Sequence, residues 1–318
     1  MKIKLLDILM CPQCRHDLKL TNEICENNEI KSGTLACDNQ HYYEIKNFVP
    51  HFSKEEVYVD AFDLIHKKEA ISNLPIYKDQ SISQITKDEF LRQTGFDPKD
   101  LNGKLLLDAG CGGGRFVTYL RQYGVEVVGI DLRSDAVMKC GERYQGDQKA
   151  HFIQASLFSL PFRENCFDYI YSLGVLHHTP DPKTAFTNLT RLLKKDGKIA
   201  IWVYPKHPSS VISDLLRPLT TRMPLKLLLF TARVVTALYG PFLKIPKIGV
   251  RLKKFLYGVR LPWHDQYNWR IHSFMDWYGP PYQFKFTDEE VKRWFEEVGL
   301  SEIKLLSDAI SAQGTKQY

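Results

Sequence analysis

Hydrophobic positions along the chain change period several times, and each change predicts an element. Leu105 to Leu107 and Val125 to Ile130 are short unbroken apolar runs of the kind that form buried strands. Between them Arg115, Phe116, Tyr119 and Leu120 recur at helical spacing, so this region reads strand, loop, helix, strand. Further on, Thr287 and Glu290 predict a capping box. The helix they open has Val291, Trp294, Phe295 and Val298 on one apolar face and Gly299 as its stop, which makes Trp294 a core residue. "DAFDLIHKKEAI" (60–71) and "TKDEFLRQTGF" (86–96) also read as helices, the second with Thr86 and Glu89 as a capping box. Phe62, His66 and Phe90 lie in this region, where core packing is the role expected of each. The longest apolar stretch, "PLKLLLFTARVVTALYGPFL" (224–243), predicts an interrupted helix with Lys226 and Arg233 inside it. No run of about 18 uncharged apolar residues occurs, which predicts no spanning helix.

"LLDAGCGGGR" (106–115) sets four glycines among five positions directly after the first apolar run, which ends on the acid Asp108. Such a loop turns tightly and presents bare N–H groups together with the positive end of a helix. Its D-x-G-x-G-x-G order, with no Lys-Ser/Thr after it, argues against a P-loop. The second strand also ends on an acid, Asp131, placed to accept both hydroxyls of a ribose or, alternatively, to cap the helix after Leu132. Asp108 would repel a pyrophosphate. It suits a ligand with an ammonium group and a sulfonium, which is S-adenosylmethionine.

From about Gly103 to Tyr204 the chain resembles the class I S-adenosylmethionine-dependent methyltransferases, in the branch that methylates small molecules and lipids. Five motifs carry the resemblance in order: "LLDAGCGGGR", "VVGIDLR", "FIQASLFSLPF", "FDYIYSLGVLHHTPDP" and "LLKKDGKIAIWVY". The resemblance implies an α/β fold with a doubly wound, mostly parallel seven-stranded sheet closed by an antiparallel hairpin in 301–316. It further implies that Asp108, Gly110 and Gly112 line the methionine end, that Asp131 binds the ribose, with Gly114 and Leu132 as further cofactor contacts, and that 53–102 fold over the cofactor, which makes Phe62, His66 and Phe90 candidate contacts. Ala155, Ser156 and Leu157 then border the adenine, and Leu173 and His177 lie along the reaction face. Many relatives carry Asp where this chain has Ser156, which weakens the usual hydrogen bond to the adenine amino group or leaves it to another residue. His177 and His178 are candidate bases for a hydroxyl or acidic carbon acceptor, against a local capping or packing role for either. No Asn/Asp-Pro-Pro-Tyr run stands there, which disfavours amino-group methylation of nucleic acid.

Cysteine spacing adds a second feature. Cys11 and Cys14 in "CPQC", with Cys37 and His41 some twenty residues on, have zinc-ribbon spacing, and Cys25 is a rival fourth ligand. Residues 1–52 resemble the zinc-ribbon modules that accompany methyltransferases; their short polar strands predict a fold that depends on the metal. Seven cysteines in this pattern fit a reducing compartment rather than a disulfide framework, so a cytoplasmic enzyme is expected. Cys111, Cys140 and Cys166 read as packed thiols. "MKIKLLDILM" is too short for a signal peptide core.

The remaining divisions are 53–102 as a helical linker and cofactor cover, 103–204 as the core, 205–286 as an inserted segment, and 287–318 as the closing helix and strands. Charge concentrates in the insert: residues 205–262 hold eleven Lys or Arg and one acid, Asp214, while the whole chain nets only +6. A basic apolar helical insertion after the fifth strand predicts either a lid packed over the acceptor site or peripheral contact with an anionic membrane at its inner face. Among the aromatics that follow, Trp277, Tyr278 and Tyr282 are candidates for a substrate rim. The expected activity is methyl transfer to a small-molecule, lipid-linked or glycan acceptor. Two alternatives stand beside it. One is an rRNA or tRNA methyltransferase whose ribbon grips RNA, which the clustering of basic residues outside the ribbon disfavours. The other is a non-catalytic cofactor-binding module.

Overall fold

The computed structural model describes residues 1–54, 84–206, 211–258, 261, 267–306 and 310–317. The chain divides into two compact units, one containing 1–54, 84–205 and 284–317 and the other Lys206–Gln283. The expected helix at 60–71, with Phe62 and His66, lies outside the described residues.

The first unit is built on a seven-stranded sheet. Its strands are β5 (Leu105–Ala109), β6 (Glu126–Asp131), β7 (Ala150–Gln154), β8 (Phe167–Leu173), β9 (Leu193–Trp202), β10 (Leu300–Leu305) and β11 (Ser311–Lys316). They run in the order β10-β11-β9-β8-β5-β6-β7. β5 to β9 pair in parallel, whereas β11 runs antiparallel to both β9 and β10, so the expected closing hairpin is present. Helices α2 (Arg115–Leu120), α3 (Ser134–Arg143), α4 (Pro182–Arg191) and α9 (Asp288–Glu297) connect or flank the strands. α9 starts with the predicted capping box, in which the Thr287 side chain and Glu290 satisfy each other's backbone N–H groups. Val291, Trp294 and Phe295 are buried along its inner face. Two core clusters occupy the sheet's faces, because strands covered by helices on both sides bury nearly every side chain.

Helix α1 (Gln84–Thr94) corrects one expectation. It begins before Thr86, so Thr86 and Glu89 are not a cap. They sit one turn apart and receive the guanidinium of Arg115: Nε donates to Thr86 Oγ1 at 3.1 Å, and Glu89 pairs with the Nη2 group. The same i, i+3 spacing that makes a capping box also makes a two-point docking face on a helix surface. Phe90 is fully buried against Phe116, Tyr119 and Tyr171, and so takes the packing role.

The N-terminal segment forms a four-stranded antiparallel sheet, β1 (Lys19–Glu26), β2 (Glu29–Ala36), β3 (Tyr42–Lys46) and β4 (Val49–Pro50). Its apolar side chains do not make a separate core. Leu5, Leu9, Leu35, Ile45 and Phe52 join Ile153, Ala155, Leu157 and Phe162 in one cluster, so the small sheet completes its burial on the large one.

The second unit is helical, as expected of the insertion: α5 (Val211–Thr220), α6 (Leu225–Tyr239), α7 (Pro246–Gly258) and α8 (Tyr267–Tyr278). Leu228, Leu229 and Ala232 of α6 bury against Ile271, Phe274, Met275 and Tyr278 of α8. The buried Arg217 donates to the carbonyls of Trp277 and Pro280 at 2.6 and 2.7 Å, which ties α5 to the C-terminal end of α8. Tyr278 therefore belongs to this core rather than to a substrate rim; it ends a helix and packs against Phe274 with the rings tilted and their centroids 4.9 Å apart. Trp277 packs against the same cluster, and Tyr282 lies beyond the helix at the surface. A second expectation changes here. Leu225–Lys244 has a mean hydropathy of 1.3 and reaches the length and composition of a membrane span, since Lys226 and Arg233 are too few to offset the leucines.

Candidate functional site

β5 has β6 on one side and β8 on the other, and the connections from these strands diverge there. In open α/β sheets the crevice at the carboxyl ends of such strands is where ligands bind. Asp108 and Ala109 end β5 at this point, and the glycine loop follows. Gly110 has φ +92°, and a Cβ there would lie 2.3 Å from Val175 Cγ2, so no side chain fits. Gly112 also has positive φ, but nothing lies within 4 Å of its would-be Cβ, so the loop is bare on the open side.

Asp131 holds that loop in place. One carboxylate oxygen accepts the N–H of Gly112 at 2.8 Å and the other accepts the N–H of Arg133 at 2.9 Å. The second bond closes a turn ahead of α3, whose N-cap is Arg133 with no side-chain cap, so Asp131 does not take the capping role. Each oxygen keeps a lone pair for a further donor. Burial raises the pKa of Asp131, against the pull of Arg133 and the two N–H groups. Leu132 is buried just beyond it.

Asp108 is left incompletely satisfied. It is 3% exposed, and its Oδ2 has no hydrogen-bond partner among the described residues. Burial pushes its carboxyl up to about 7, with Tyr171 on the neighbouring β8 opposing the shift and Asp131 adding to it. A buried carboxylate with an open oxygen is a site for a cationic group.

The far wall comes from the residues after β7. Gln154 is fully buried, and its Nε2 donates to the Leu132 carbonyl at 2.8 Å. Ser156 and Leu157 follow, both nearly buried. The N-terminal module grips this wall at both ends. Phe52 N–H donates to Gln154 O at 2.8 Å, Ser53 N–H to Gln154 Oε1 at 3.1 Å, and Ser156 N–H to Ser53 Oγ at 3.1 Å. Beyond it, Met10 N–H donates to Pro161 O, and Arg15 donates to the carbonyls of Leu160 and Phe162. Sequence reasoning missed this strap, because no periodicity marks Ser53 and the contacts span about a hundred residues of chain.

Leu173 closes β8, and the turn Leu176–His178 follows. His177 is fully buried. It stacks on Tyr204 with ring centroids 3.9 Å apart, meets Trp202 edge-on, and lies 4.2 Å from His178. Neither of its ring nitrogens has a hydrogen-bond partner among the described residues. Burial first, and His178 second, drive its pKa well below the ordinary histidine value, so the ring is neutral near pH 7. Tyr204 and Trp202 were not expected in this cluster; both lie at the end of the fifth parallel strand, where an aromatic side chain reaches the strand-end crevice.

One donor atom each from Cys11, Cys14, Cys37 and His41 lie within 4.8 Å of one another. Cys11 Sγ and Cys37 Sγ are each 3.4 Å from His41 Nδ1, and Cys14 Sγ is 3.5 Å from Cys37 Sγ. Zinc bonds of about 2.3 Å to sulfur and 2.0–2.1 Å to nitrogen at tetrahedral angles require edges of about 3.5–3.8 Å, close to these separations. Burial opposes ionisation of Cys11, but hydrogen bonding from Tyr43 and the N–H groups of Cys14 and Gln13 outweighs it and brings the thiol down to about 6. Cys25 is exposed on β1 and stands outside the cluster.

Sheet order, glycine loop and paired strand-end acids together define a Rossmann-like domain of the S-adenosylmethionine-binding kind. Residues 107–201 match the methyltransferase domain family model. The chain thus carries a class I S-adenosylmethionine-dependent methyltransferase domain. Similar curated proteins include an O-methyltransferase of Aspergillus nomiae, 28% identical over 37% of this chain and 54% of its own. Phosphoethanolamine N-methyltransferase 2 of Caenorhabditis elegans is 33% identical over 33% of this chain and 24% of its own. The match thus spans about half of the first relative and a quarter of the second. A solved structure of Haemonchus contortus phosphoethanolamine N-methyltransferase 2 in complex with S-adenosyl-L-methionine aligns with a TM-score of 0.42. It is 16% identical and covers 77% of this chain and 42% of that one.

Proposed function

We propose that the protein transfers a methyl group from S-adenosylmethionine to a small-molecule, lipid-linked or glycan acceptor. The observation that carries this reading is the buried, unsatisfied Asp108 beside a bare glycine loop that Asp131 pins in place. When bound, S-adenosylmethionine supplies an electrophilic methyl on a sulfonium. Asp108 pairs with the positive methionine end, and Asp131 accepts from the ribose hydroxyls through its remaining lone pairs. Leu132, Ser156 and Leu157 enclose the adenine. Alignment of acceptor and methyl accounts for several kcal/mol of the rate, and no covalent intermediate on the protein is needed.

His177, kept neutral by burial, and His178 beside it hold the proton-accepting position after β8. The relatives, named for O- and N-methyl transfer, support either oxygen or nitrogen as the acceptor atom. Cys11, Cys14, Cys37 and His41 would hold a structural zinc, remote from the chemistry, whose role is to fix the module that grips the adenine wall. Incubation of the purified chain with methyl-labelled cofactor and separate lipid, glycan and RNA fractions tests the reading. Label in a lipid, glycan or small-molecule fraction is expected. Label confined to RNA would replace the acceptor class, and bound cofactor with no transfer to any fraction would favour a non-catalytic module.

A further inference from the structure

We propose that the helical unit docks on an anionic lipid surface through the outward face of α6. The inference is independent of the methyl-transfer reading. α6 is apolar around most of its circumference. One side buries Leu228, Leu229 and Ala232 against α8. On the opposite side Leu227, Phe230, Val234 and Leu238 follow one another at steps of three, four and four residues, which places them in a single line along the helix. They are 48, 61, 40 and 68% exposed, and Phe242, 51% exposed, follows just past the helix end. Contiguous apolar stripes of this kind mark interaction surfaces.

Charge selects the occupant. Lys226 and Arg233, two turns apart and both exposed, border the stripe on one side. Lys244, Lys247 and Arg251 are exposed on the segments that follow. Asp214 is the only acid in residues 205–262. A second copy of this unit would bring like charge against like charge. Single-stranded nucleic acid is held by stacking on aromatic side chains, whereas three of the four residues in the stripe are aliphatic. Leucine, valine and phenylalanine facing outward, with long basic side chains on the flank, match a helix lying in the headgroup region, where Lys and Arg stems run along the apolar surface and their charges reach the phosphates.

Lying flat also fits the geometry better than spanning. The helical run Leu225–Lys244 has the length of a span, at 20 residues, but a spanning helix needs an apolar surface free for lipid on every side. The inner face of α6 is already committed to the core of the unit.

The test uses the full chain, sedimented with vesicles of phosphatidylcholine alone or of equimolar phosphatidylcholine and phosphatidylglycerol, at low and high salt. Preferential partition into the anionic vesicles is expected, with a residual salt-resistant fraction from the apolar contact. Lys226→Glu with Arg233→Glu should lower partition at low salt by at least about twenty-fivefold, at about fivefold per basic residue lost. Phe230→Ser with Leu238→Ser should remove the salt-resistant fraction, and this pair guards against misfolding because it replaces only exposed side chains. Titration of each variant with S-adenosylmethionine keeps the cofactor reading separate, since that affinity should not change. Equal partition into neutral and anionic vesicles, no sedimentation with either, or an effect of the serine pair on self-association alone would overturn the proposal.

Discussion

Ser53 at the exit of the N-terminal module and Ser156 just past β7 share a 3.1 Å hydrogen bond, with the Ser156 N–H donating to the Ser53 hydroxyl. The segment that holds four candidate metal ligands is therefore tied to the wall that we propose borders the cofactor. Residues 154–162 are held by Phe52 and Ser53 at one end and by Met10 and Arg15 at the other.

That arrangement makes metal loading visible in cofactor affinity. Elemental analysis should find one zinc per chain. Cys37→Ser should lose it, whereas Cys25→Ser should keep it, because Cys25 lies outside the cluster. Chelation should weaken S-adenosylmethionine binding as the strap loosens. Metal-free protein with unchanged affinity would separate the two sites.

Asp108 predicts a proton linkage. Its carboxyl is raised from 3.8 to about 7 by burial, so between those values the folded protein keeps a proton that the unfolded chain has lost. Its contribution to stability without cofactor therefore falls as pH rises through that window. Cofactor binding favours the charged form, so affinity should tighten as pH rises toward 7, with release of a proton. Calorimetry just below pH 7, in buffers of different ionisation enthalpy, measures the proton directly. Asp108→Asn should abolish it; an identical release from that variant would place the titration elsewhere.

The two glycines should part company on mutation. Gly110→Ala sets a methyl group against Val175 at positive φ and should cost about 2–4 kcal/mol of stability. Gly112→Ala meets open space and should cost about 1 kcal/mol, yet weaken cofactor binding because the methyl group occupies the bare side of the loop. Denaturation curves and cofactor titrations of both variants check this, and equal stability losses would contradict it.

For the proton-accepting position, His178→Ala should lower kcat by about 10²–10⁴ while leaving cofactor affinity unchanged. In the wild type kcat should also fall, but only at pH well below the ordinary histidine range, where His177 protonates. A variant with full kcat and a flat pH profile would return His178 to a packing role.

Much of this site can be read along the chain, since each strand-end acid closes an apolar run and the glycines stand together. Asp108, Asp131 and the cysteine pairs are visible for that reason. Thr86 and Glu89 mislead because a cap and a docking face share one spacing, and only Arg115, far along the chain, decides between them. Tyr278 misleads because Gly279 and Pro280 suggest a loop, whereas they follow the last turn of a buried helix. The union of the small sheet with the large one leaves no local trace, as it rests on contacts such as that of Met10 with Pro161.

Calorimetric titration of the purified full chain with S-adenosylmethionine, beside Asp131→Ala, tests the central claim most directly. The account predicts saturable binding by the wild type and a loss of about 1–3 kcal/mol in the variant, which removes a charged acceptor and frees the Gly112 loop. Equal affinity in the two proteins, or no binding by the wild type, would contradict it.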